Sequence, residues 1–122
     1  MELQKQVCNQ ELSKKLRKLG VSQKSYFYWV ITLTTDYHIS IYDGELPDCL
    51  LCRNDVYSAF TVAELGEMLG LFTNTHKNAS GTWVVSWNGQ GNDIGKSDDT
   101  EADARAKMLI YLLENNLINL KI

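Results

Sequence analysis

The sequence predicts an α+β fold: a mainly antiparallel sheet of about four strands, in two hairpins, packed with three amphipathic helices in the order α-β-β-α-β-β-α. Three observations carry that expectation. Apolar residues recur at helical spacing in three segments, each bounded by a capping residue or a glycine. Aromatic and β-branched residues alternate with other types in short runs between those segments. The strand-like runs come in neighbouring pairs, and the helices need a sheet against which to bury their apolar stripes.

The first helix is expected from about Asn9 to Leu19, because Leu12, Leu16 and Leu19 fall at i, i+4 and i+7. Lys14, Lys15, Arg17 and Lys18 fill the opposite side, and Gly20 is placed to end the helix in the left-handed conformation. Tyr26 to Leu33 reads as a strand, being dense in aromatic and β-branched side chains. Alternation assigns Phe27, Trp29, Ile31 and Leu33 to one face and Tyr26, Tyr28, Val30 and Thr32 to the other. After a turn at Thr34-Thr35-Asp36, the residues Tyr37, Ile39 and Ile41 alternate with His38, Ser40 and Tyr42 and complete a hairpin. Residues 43–60 carry no strong pattern, and a short strand is expected near Leu50–Arg53.

Thr61-Val62-Ala63-Glu64 is a capping box, in which the threonine hydroxyl takes an orphan amide proton and the glutamate reaches back to the cap. The helix it opens is expected to run to Leu69, with Val62, Leu65, Met68 and Leu69 inward and Gly70 closing it. Gly66 inside that helix costs about 1 kcal/mol relative to alanine, so a close approach by another element is expected there. The polar stretch from Thr73 to Asn78 reads as a loop. Thr82 to Asn88 reads as a strand with Trp83, Val85 and Trp87 on one face. Asn88-Gly89 is a hairpin turn signal, with a return strand at about Asn92–Ser97. Thr100 caps the last helix, which extends to about Asn115 and buries Ala102, Ala106, Leu109, Leu112 and Leu113. Small residues at 102, 104 and 106 let its first turns approach the sheet, and Asp98, Asp99, Glu101 and Asp103 suit its positive N-terminal dipole.

A length of 122 residues fits a single domain, 1–122, and a hydrophobic content of 44% excludes a disordered chain. The longest apolar segment near the C-terminus, Met108 to Leu113, falls far short of the ~20 residues that span a bilayer. The N-terminus lacks the apolar stretch of a secretory signal, so the expected compartment is the cytoplasm and no membrane partner is expected. Three cysteines, an odd number, argue against a disulfide framework. Charge is uneven: residues 1–24 hold six basic and two acidic side chains, the remainder six basic and thirteen acidic.

Cys49 and Cys52 form a C-x-x-C pair that can supply two zinc thiolates or a redox dithiol. A structural zinc site needs two further ligands, and His38, His76 and Cys8 are scattered, so packing beside Leu50 and Leu51 is the preferred reading. Neither histidine stands at triad or metal spacing from a partner, and Gly89-Gln90-Gly91 lacks the third glycine and the lysine of a phosphate loop. No catalytic residue, metal ligand or cofactor site is therefore assigned. The candidate interaction surface is Lys14, Lys15, Arg17 and Lys18 on the basic helix, with Tyr26, Tyr28 and Tyr42 on the outer sheet face. It points first to a protein partner, with self-association, and second to nucleic acid.

Three stretches resemble small phage- and prophage-encoded bacterial proteins for which no activity is established. They are Glu11 to Leu16 with Leu19-Gly20-Val21 and Ser25 to Trp29, then Thr61 to Leu69, then Glu101 to Tyr111. The resemblance implies a mobile-element origin and an α/β sandwich, and it carries over no functional residue. The expected role is a phage-type accessory protein that binds another macromolecule without catalysis. A nucleic-acid module using the first helix and a metal or thiol protein centred on Cys49 and Cys52 are the alternatives.

Overall fold

The computed structural model describes residues 3–31, 37–41 and 56–118. A one-turn helix α1 (Leu3–Gln6) precedes α2 (Gln10–Lys18). The strands β1 (Phe27–Ile31), β2 (Tyr37–Ile41) and β3 (Tyr57–Ser58) follow, then α3 (Val62–Leu69). Next come β4 (Thr73–Lys77), β5 (Trp83–Trp87), a 3-10 turn at Gly89–Gly91, β6 (Ile94–Asp98) and α4 (Glu101–Glu114). The class is α+β, and the strands form two antiparallel sheets of order β2-β1-β3 and β4-β5-β6 rather than one sheet of about four strands.

The helix ends follow the local chemistry. Asn9 caps α2 by accepting the Leu12 N–H at 2.9 Å, and Gly20 follows it with φ +89°. At α3 both halves of the capping box form: Glu64 N–H donates to the Thr61 hydroxyl at 3.2 Å, and Thr61 N–H donates to the Glu64 carboxylate at 3.0 Å. Thr100 takes the Asp103 N–H at 3.2 Å to open α4. Gly66 lies under Arg105 of α4, whose guanidinium occupies the space a Cβ would need.

The main core gathers around α4, which meets α3, α2 and the inner face of the second sheet. Ala102, Ala104, Ala106, Met108, Leu109, Ile110 and Leu112 are all buried, so α4 is covered on more than one side. That is why Met108 and Ile110 join the core while Leu113, expected inside, is only partly covered. Val85 and Trp87 of β5 complete this core. A smaller cluster of Val7, Trp29, Tyr57 and Ala59 sits under the first sheet. It is tied to the α1–α2 linker, where Trp29 Nε1 donates to the Cys8 carbonyl at 3.0 Å and Cys8 N–H donates to the Phe60 carbonyl at 2.9 Å.

Several expectations are corrected. Thr73–Lys77, read as a polar loop, is an edge strand; its hydrogen bonds come from β5, and its exposed residues needed no apolar alternation. β3 forms at Tyr57–Ser58, whereas the strand expected near Leu50–Arg53 and the turn at 34–36 lie outside the described residues. β5 and β6 form the expected hairpin, but positive φ falls at Gln90 and Gly91 rather than at Asn88 and Gly89, and the return strand starts at Ile94.

Candidate functional site

The residues expected to make one surface are divided by the fold. Lys14, Arg17 and Lys18 share one side of α2, as i, i+3 and i+4 spacing requires, and line a cavity of about 490 Å³ with Tyr57. Lys15 faces another way and lines a separate cavity of about 210 Å³ with Lys96, Lys107 and Tyr111. Arg17 is no free cation: its guanidinium lies 5.9 Å from the Tyr57 ring centroid and donates to the Val56 carbonyl, fastening α2 to β3.

Tyr28, assigned by alternation to an outer face, is 1% exposed. β1 is the central strand of its sheet, between β2 and β3, and Tyr28 and Trp29 are both buried, so neither face of it is open. The Tyr28 hydroxyl accepts the Ser25 N–H and donates to the Gln23 carbonyl, each at 3.2 Å. Tyr26, just before the strand, is 68% exposed. Tyr42, Cys49 and Cys52 lie outside the described residues.

Asp98, Glu101 and Asp103 at the start of α4 are occupied within the fold. Asp103 accepts the Asn9 N–H at 2.7 Å, linking the caps of α2 and α4, and its burial raises its pKa. Asp98 meets Lys107 at 2.7 Å and Glu101 meets Arg105 at 2.9 Å. Among the described residues no three His, Cys, Asp or Glu side chains gather to hold a metal. Cys8 is fully buried with its Sγ 3.0 Å from Ser13 Oγ, and burial pushes its thiol up to about 11, which keeps it protonated and unreactive at neutral pH. His76 is exposed on β4.

A cavity of about 440 Å³ opens between the N-termini of α3 and α4, lined by Lys5, Thr61, Lys77, Trp83, Asp99 and Glu101 among others. Both signs of charge line it. The threonine caps and Glu64 already bond amides at the two helix starts, so the dipoles have fewer donors to offer an anion.

The feature that sequence reading missed lies between α3 and β4. Leu71 is 99% and Phe72 60% exposed, side by side after the Gly70 cap. An apolar residue just past a glycine cap commonly folds back on its helix; Leu71 does not. Phe72 sits edge-on to Trp87, with ring centroids 6.4 Å apart, which orients its exposed face. The signal in the sequence was two large apolar residues outside any amphipathic stripe. No described helix is long and apolar enough to cross a membrane. The chain matches no protein-family model, no curated protein and no solved structure.

Proposed function

We propose that the chain is a non-enzymatic accessory module that binds another protein through the Leu71–Phe72 projection and the adjoining β4 strand. The observation that supports this reading is the exposure of both side chains at the head of an edge strand. Burying a leucine or phenylalanine contributes about 1.5–3 kcal/mol each, so the pair has the weight of an interface anchor. Phe72 is already oriented by Trp87 and loses little freedom on binding. The phage-type character of the role rests on the resemblance of the three stretches alone. A photocrosslinking phenylalanine analogue at position 72, irradiated in the cells that carry the gene, tests the reading. The expected result is a discrete crosslinked protein that disappears in a Leu71→Asp background and is not formed from position 26. No discrete product from position 72 refutes it.

A second reading is favoured by the exposed Lys14 and Lys18, which line one cavity on the same side of α2 and supply positive charge for a polyanion. Retardation of DNA or RNA at low salt, weakened by Lys14→Glu with Lys18→Glu, supports it. Absence of any shift at low salt removes it.

A further inference from the structure

We propose that two copies of the chain pair antiparallel through β4, about a two-fold axis at Thr75, making one continuous six-stranded sheet. The inference rests on the protein-binding reading above and names its partner. The β4–β5 register sets Thr73 opposite Trp87 and Lys77 opposite Trp83. Just beyond the strand ends, Asn88 N–H donates to the Phe72 carbonyl at 3.0 Å and Asn78 N–H to the Thr82 carbonyl at 2.9 Å. Opposed residues in an antiparallel ladder alternate between pairs that exchange both bonds and pairs that exchange none. Phe72 and Asn78 therefore belong to bonded pairs, and so do Asn74 and His76 between them. The peptide groups of Thr73, Thr75 and Lys77 must point the other way, along the free edge, and no described residue bonds them there.

The other edge of the sheet is guarded. The same alternation makes Gly95 and Ser97 the outward residues of β6, and Lys107 Nζ donates to the Ser97 carbonyl at 3.3 Å. Lys96 on that strand lies 4.2 Å from the Tyr111 ring centroid, and Asp98 is bound to Lys107. Charges, bulges and proline are the usual protections of a sheet edge. β4 has neither proline nor an acidic residue, and its single lysine stands at its end.

A second copy is the occupant that the strand's own order fits. Rotation about Thr75 sets Thr75 against itself and Thr73 against Lys77 on either side. All three are pairs of outward residues, so each exchanges both backbone bonds and none of the outward groups is left over. Lysine meets threonine rather than lysine, and a threonine pair is favourable. On the solvent face Asn74 falls opposite His76, both exposed. Five residues of strand with Leu71 and Phe72 at each end make less than the ~1,600 Å² of a standard stable interface, so the dimer dissociates on dilution.

Sedimentation velocity of the full chain, from roughly 1 to 500 μM, tests the proposal. The sedimentation coefficient is expected to climb from monomer to dimer. Asn74→Lys with His76→Lys opposes like charges twice across the axis and is expected to weaken association about 3- to 10-fold, whereas Asn74→Lys with His76→Glu preserves or strengthens it. Thr75→Pro removes an outward N–H that β5 does not use and is expected to leave only monomer. A monomer throughout the range, or a dimer equally strong in both charge variants, overturns the proposal. If the chain is monomeric while position 72 still crosslinks to a different protein, only the second copy is wrong; if position 72 also captures nothing, the protein-binding reading falls with it.

Discussion

Replacing Gly66 with alanine tests the packing of α3 on α4 through the sign of its effect. In an ordinary helix interior the change stabilises by about 1 kcal/mol. Here the new methyl overlaps Nη1 of Arg105. That guanidinium is not free to swing aside, because Nη1 donates to the Val62 carbonyl at 3.1 Å and Nη2 to the Glu101 carboxylate at 2.9 Å. Displacing it forfeits a charged hydrogen bond of about 1.5–3 kcal/mol, while the Glu101 pair, one helical turn away at i, i+4, adds only about 0.2–0.5 kcal/mol. The net expectation is a loss of about 0.5–2 kcal/mol in the native chain. In an Arg105→Ala background the obstacle is gone, and the same substitution is expected to stabilise by about 1 kcal/mol. Urea unfolding followed by tryptophan fluorescence measures all four corners of this cycle. If alanine stabilises both backgrounds alike, to within about 0.5 kcal/mol, the guanidinium is not the reason glycine stands there.

Two further outcomes are expected. Cys8, held near 11 in the folded chain against an ordinary 9.0, keeps its proton over a range where the unfolded chain loses its own. Folding stability therefore falls as pH rises from 9 toward 11, by about 1.4 kcal/mol per unit, and Cys8→Ala flattens that slope in urea midpoints; parallel slopes in the two proteins refute the assignment. Tyr28→Phe leaves the Ser25 amide and the Gln23 carbonyl without their shared partner and is expected to cost about 1–2 kcal/mol in thermal unfolding. Tyr26→Ala is expected to stay within about 0.5 kcal/mol, and equal losses at the two tyrosines contradict a β1 covered on both faces.

The helices were legible because their limits are local. Asn9 with Gly20, Thr61 with Glu64 and Gly70, and Thr100 with Asp103 act on partners within a few residues or through their own backbone angles, so short segments specify them. The β1–β2 hairpin was legible for a related reason: adjacent alternating runs pair with each other, as Phe27 does with Ile41 and Ile31 with Tyr37. Alternation along β1, however, cannot say whether both faces are covered, and Tyr28 on the face expected outside is buried. β4 escaped detection because an edge strand is made by the hydrogen bonds its neighbour supplies, and its polar residues show no periodicity of their own. The basic cluster followed from composition, but its division into Lys14, Arg17 and Lys18 beside Tyr57 and Lys15 beside Tyr111 depends on what packs around α2. Sequence by itself determined where α2, α3 and α4 begin and end, but not the one-turn α1. Tertiary structure alone decided which apolar residues stay in water and which strand lies at a sheet edge among the described residues, because both depend on distant parts of the chain that a local pattern does not contain.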